Sequence, residues 1–292
     1  MDLEERIREA FVPVENGSSL RTIKRLAQRR TRVRRRVGLV AAAAGLSIVA
    51  VALPFAVPGP GEHEANATTM AQLAGVVRSQ PIILVEDGQY LYTETLGTRD
   101  NCVGNVCRLD RVRRQVWAAT DGSGRMAGSS SVDGSWSELM RPGELGGSLQ
   151  EALPPTDPDE LRAFIEERAS MAEQPLDWEM WVIMTDLLGE TFSSPILYST
   201  PELRAALFDV AATLPGVEDL GAMTDAIGRE GIGFGFTGGY ERMELIFDRE
   251  TATILEMRQI PVHDFPDGSS MEGVAWTVFL DVGVVDSVRD RL

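Results

Sequence analysis

"GIGFGFTGGYERMELIFD", residues 231 to 248, decides the fold. Positions 233 to 238 spell a literal G-x-G-x-x-G. A dinucleotide fingerprint needs a strand before these glycines and a helix opening on the last of them, so that a pyrophosphate meets free N–H groups. Here "GYERMELIFD" follows instead and alternates as a strand. The glycines are therefore read as part of a strand that bends sharply or lets another backbone approach. No nicotinamide or other cofactor is expected.

Reading outward toward the C-terminus, "TILEMRQIPVHD" and "GVAWTVFLDVGVV" are further strands, with turn residues between them. On the other side lie "EDLGAMTDAIG", another strand, and then three helices. "STPELRAALFDVAATLPGV" starts with Pro at the first helical position and turns Leu203, Leu207, Val210, Ala211 and Leu214 inward. "LDWEMWVIMTDLLGETF" has Asp177 as its expected cap and is apolar nearly all round, as a central, buried helix would be. In "TDPDELRAFIEERA" Asp157 is the cap, Pro158 the first residue and Glu160 the far half of a capping box. Before the helices, "PIILVED", "QYLYTETL" and "LDRVRRQVWAAT" read as a meander, the last with Val112 and Val116 on one face and Trp117 on the other. The Gly- and Ser-rich stretch 120 to 147 reads as hairpin turns, short strands and exposed loop. Strands, then helices, then strands: the order argues an α+β domain with a curved antiparallel sheet packed on helices, over residues 70–292.

Residues 37 to 57 carry no charge. Twenty-one residues at about 1.5 Å each match a bilayer's hydrocarbon thickness, and no polar face interrupts them. They are read as a transmembrane helix, followed by a Pro-Gly linker, 58–69. The preceding stub, 1–36, holds eleven Lys or Arg against five Asp or Glu, a net +6, whereas residues 58–292 sum to −22. Basic residues beside a span stay cytoplasmic. The stub is thus expected inside and the acidic domain outside the cell membrane. An arginine run abutting an apolar span suits anionic lipid head groups rather than nucleic acid. Ala65-Asn66-Ala67 resembles a signal-peptidase site, but the apolar run is longer than a signal peptide's and ends well before it. Anchoring is the expectation and cleavage after Ala67 the rival.

The two cysteines, Cys102 and Cys107, flank Gly104-Asn105 in "CVGNVC". Outside the membrane such a pair is expected to form a disulfide stapling a hairpin or loop tip, worth about 2 kcal/mol for so short a ring. Two ligands alone make a poor zinc site. Catalytic material is sparse. The only histidines, His63 and His263, stand alone, and Lys24 is the only lysine. Neither a His-based triad nor a Ser-x-x-Lys site can be assembled, so the chain is not expected to be an enzyme.

"LPPTDPDELRAFIEERA", "TPELRAALFDVAATLPGV", "GAMTDAIGREGIGFGF" and "ELIFDRETATILE" together resemble a family of actinobacterial single-pass membrane proteins of uncharacterised function. That resemblance implies an Arg-rich cytoplasmic stub, one span and an extracytoplasmic domain, in chains often encoded beside extracytoplasmic-function sigma factors. The expected sheet wrapped on helices is also similar to LolA-like and RseB-like envelope domains. The function so implied is a membrane-anchored binding or sensing module, taking an envelope lipid or protein ligand and regulating a sigma factor or other cytoplasmic regulator through the stub. The alternative is an extracytoplasmic hydrolase with a carboxylate-based site. For the binder, Tyr90, Tyr92, Phe234, Phe236 and Trp276 are candidate contacts, against the plainer alternative that most of them are sheet core.

Overall fold

A computed structural model describes residues 60–82, 84–103, 106–130, 134–142, 144, 154–188, 200–239, 241–262, 270–271 and 273–292, with backbone alone at 60–65, 99–108 and 270–271. The chain divides at Val57/Pro58, and all described residues belong to the second part, Pro58–Leu292. The basic stub, the apolar run 37–57 and His263 lie outside the described residues. Among those described, no helix is long and apolar enough to cross a membrane.

Helix α1, Pro60–Arg78, occupies most of the stretch expected to be a linker. Proline is tolerated in a first helical turn, so the Pro-Gly run opens this helix. Met70, Leu73, Ala74 and Val77 recur at helical spacing and are buried, mainly against α4, Pro201–Thr213. Helix α2, Pro158–Ala169, is capped as its sequence requires: the Asp157 carboxylate accepts from the N–H groups of Asp159 and Glu160, both at 3.1 Å. Helix α3, Leu176–Leu187, differs. It begins after Pro175 with no side-chain cap, and Asp177 falls inside its first turn, where its charge still suits the helix dipole.

The strands are β1 Tyr90–Val103, β2 Val106–Ala118, β3 Gly124–Ser130, β4 Gly134–Met140, β5 Glu218–Thr224, β6 Glu230–Gly238, β7 Glu241–Phe247, β8 Ile254–Pro261, β9 Ser270–Met271 and β10 Ala275–Val285. Nine form one antiparallel sheet in the order β4-β3-β2-β1-β10-β8-β7-β6-β5, and β9 adds to β2 in parallel. Two meanders, β1–β4 and β5–β8, are thus joined by the last strand, which pairs with the first strand of one and the last of the other. The fold is α+β with an antiparallel sheet packed on helices. "PIILVED" is not a strand. β1 starts at Tyr90 because its neighbours run out there: Tyr90 pairs with Val285, the end of β10, and Leu91 with Ala118, the end of β2. Without partners the preceding residues stay out of the sheet, and Ile82 and Leu84 are 51% and 71% exposed.

Register assigns every strand residue to one of two sheet faces. On the helix side, Ile232, Phe234, Phe236, Met243, Leu245 and Phe247 interdigitate with the helices. Phe208 of α4 meets Phe247 edge-on at 5.1 Å, and Trp181 of α3 stacks on Phe236 at 6.0 Å.

Candidate functional site

Alternation along β6 sends its apolar residues to the helices and Gly231, Gly233 and Gly235 to the far side of the sheet. Those glycines make room for neighbours rather than for a phosphate. A methyl at 235 would meet the Arg242 guanidinium at 2.5 Å, one at 233 the Met223 sulfur, and one at 231 the Phe247 carbonyl oxygen at 2.5 Å. The expected close approach is therefore made chiefly by side chains, and by backbone at Gly231.

What folds over the glycine stripe is a ladder of ion pairs. Arg242 donates to Glu244 at 2.9 Å and to Glu218 at 3.1 and 3.2 Å; Arg258 donates to Glu256 at 2.7 Å; Arg229 donates to Asp225 at 2.6 Å. Burial works against the charges on Arg242 and Arg258, but the facing carboxylates outweigh it and raise both. Burial pushes the Glu256 carboxyl above its ordinary value despite the bonds from Arg258 and the Ala226 N–H. A second cluster lies further along the same face, on β1 and β2. The Tyr92 hydroxyl donates to Glu94 at 2.5 Å, Arg113 pairs with Glu94, and Gln115 donates to the Tyr92 oxygen at 2.8 Å. Burial raises the Tyr92 phenol, with Glu94 adding to the effect. Burial also opposes ionisation of Glu94, yet the bonds from Tyr92 and Arg113 hold its carboxyl below the ordinary range. In both clusters the carboxylates are engaged by arginine, which suits structure better than proton transfer. Among the described residues, no group of three or more His, Cys, Asp or Glu could hold a metal ion.

The helix side of the other meander is different. The core shared with the helices draws on β6, β7, β8 and β10 and on no described residue of β1 to β4. On this face Leu91 and Ala118 at one end and Val112 at the other are buried, and between them run two adjacent register rows that are less covered. One is Val282, Thr93, Val116, Met126 and Glu138; the next is Phe279, Thr95, Arg114, Gly128 and Trp136. Val282 is 36% exposed, and Thr93, Thr95, Val116, Met126 and Trp136 are half-buried. The Trp136 ring lies on Gly128, where a methyl would stand 2.5 Å from it. Four strand spacings make this strip about 19 Å wide. It presents aliphatic, thioether and indole surface with Arg114 and Glu138 among it.

The five aromatics picked from sequence do not share this strip. Phe234 and Phe236 are buried under the helices. Tyr92 is buried on the far side, and Tyr90 and Trp276 lie half-buried on that same face. The alternation of β2 places Val116 with Val112 opposite Trp117, whereas Met126 and Trp136 lie in a Gly- and Ser-rich stretch that reads as loop and short strands. Cys102 and Cys107 are direct register partners in the β1–β2 hairpin, and their side chains lie outside the described residues. Asn66 is buried in α1 and its amide donates to the Val217 carbonyl.

No family model matches the chain, and no curated protein does. Among solved structures the chain is similar to one described as the complex structure of Pseudomonas aeruginosa MucA/MucB, at 14% identity and a TM-score of 0.30. That likeness covers 76% of this chain and 58% of the other, and at such depth it bears on neither mechanism nor partner.

Proposed function

We propose that this protein is a membrane-anchored binding or sensing module, with its stub in the cytoplasm and its acidic α+β domain outside. In this reading the helix-side strip over β1 to β4 captures an envelope lipid or protein ligand. The carrying observation is that Val116, Met126 and Trp136 are half-exposed on the same face of the sheet that β6 to β8 use for core. Anchoring is supported by the charge split and by α1, which runs unbroken through Ala65-Asn66-Ala67 and ties Asn66 to Val217. Cleavage there would cut inside a packed helix. The cytoplasmic partner implied by the family resemblance, a sigma factor of the extracytoplasmic-function type, would read the ligand through the stub.

The test places photo-cross-linking residues at Val116 and Met126 in the full chain in cells, and separately exchanges Trp136→Ala. Cross-linkers should trap one ligand, and Trp136→Ala should reduce its capture and alter the output of the neighbouring sigma factor while the domain still unfolds cooperatively. Nothing trapped at either position, with an unchanged transcriptional response in Trp136→Ala, would overturn the proposal.

A further inference from the structure

After β10 the chain makes a tight turn, with the Asp290 N–H bonded to the Ser287 carbonyl at 3.0 Å, and comes back over the far side of the sheet. This hook lies on a shelf whose floor is Tyr92, Trp117, Ala127 and Val285, all buried. The attachment is slight by comparison. The Trp117 indole N–H donates to the Asp290 carbonyl at 2.7 Å, Arg125 donates to the Val288 carbonyl at 3.1 Å, and Arg291 donates to Gln115 at 3.2 Å. Val288 packs against the floor and Leu292 leans on Gly283, while 289 to 292 are exposed, Leu292 by 61%. An aromatic floor of this size does not stay bare in water, yet Val288 is the one hook side chain packed on it, beside Tyr90 and the Arg125 guanidinium over the Trp117 ring, and the hook is held mainly through main-chain oxygens. Short segments with few buried contacts are the ones that open first.

We infer that the hook is an exchangeable cover and that the shelf beneath it is a docking site for a peptide of the same make from a partner protein. The partner peptide presents a reverse turn with one aliphatic residue and two outward carbonyls, offered to the Trp117 indole and the Arg125 guanidinium, with a following basic residue for Gln115. Because the two main anchors read carbonyl oxygens, the site tolerates sequence variation and demands shape. Its own hook competes in cis, so the apparent affinity for a partner falls with the fraction of chains whose hook is closed. The shelf and the strip proposed above are on opposite faces, so failure of one leaves the other standing.

A fluorescent peptide of residues 287–292 is the probe, read by anisotropy against the full chain and against the full chain ended after Asp286. The shortened chain should bind it at least about tenfold more tightly than the intact one, and Trp117→Phe in the shortened chain, which keeps a ring and loses the N–H donor, should weaken binding several-fold. A shortened chain that unfolds cooperatively yet does not bind, or binds no better than the intact chain, would overturn the inference. If the shortened chain does not fold, Val288→Asp in the intact chain decides: a carboxylate in place of the side chain that packs on the floor lifts the hook, so the probe should bind more tightly than to the unaltered protein. Equal binding there would overturn the inference as well.

Discussion

Gly231 and Gly233 stand two residues apart on one face of β6, yet a methyl at each meets a different obstacle. At 233 the obstacle is the half-exposed Met223, a flexible side chain that can swing aside; at 231 it is the Phe247 carbonyl, fixed in the sheet. Gly231→Ala should therefore lower stability by about 2–3 kcal/mol and Gly233→Ala by less than about 1 kcal/mol, measured by urea unfolding. Equal costs would contradict the packing described here. Glu94 supplies a second residue-scale expectation. Its folded carboxyl sits below the ordinary 4.5, so the stability it contributes is complete above that value and is lost as pH falls through the lower, folded value. Glu94→Gln should cost about 2 kcal/mol at neutral pH, with the difference from the parent protein closing in acid. A gap independent of pH would show that the carboxylate's charge plays no part. At this scale the glycines were legible as a strand feature, but what fills the space above them was not, because Arg242, Met223 and Phe247 reach it from neighbouring strands.

Among the elements, caps were the most legible features. Asp157 and the Pro158 start act locally, and Thr200 caps α4 by accepting from the Leu203 N–H at 3.2 Å, so each of these starts is written within four residues. Asp177 failed as a cap for α3 because the chain enters that helix from Pro175, two residues earlier, and the helix draws its stability from burying Trp178, Met180, Trp181 and Met184 instead. "PIILVED" failed for the opposite reason. Its apolar run is strand-like in isolation, but pairing is supplied by other strands, and β10 and β2 both end before reaching it. The β1–β2 hairpin carries its own expectation: Cys102 and Cys107 face each other in register. In an oxidising compartment they should form a disulfide, so the native protein should resist alkylation without reductant, and reduction should cost about 2 kcal/mol. Two thiols that alkylate freely in the untreated protein would rule the bridge out.

For the whole molecule the expectation is topological. A periplasm-type reporter fused after Leu292 should be active only outside the membrane, and the chain recovered from cells should retain its stub; a mature N-terminus at Thr68 would overturn anchoring. That expectation needs only the uncharged run 37–57 and the change from +6 to −22 across it, properties that any conformation of the chain retains. Strand alternation, helix stripes and turn residues are likewise local, and from them the α+β class and most elements followed. Two things required the tertiary structure. β10 pairs with β1 across almost the whole domain, an arrangement set by competition among all strand edges and by no single segment. Which face of the sheet is covered was hidden for the same reason. A period of two reads identically under a helix layer and in front of solvent, so Phe236 and Val116 look alike in sequence. Only the placement of α1 to α4 over β5 to β8, and of the hook behind β1 and β2, turns one into core and leaves the other at the surface.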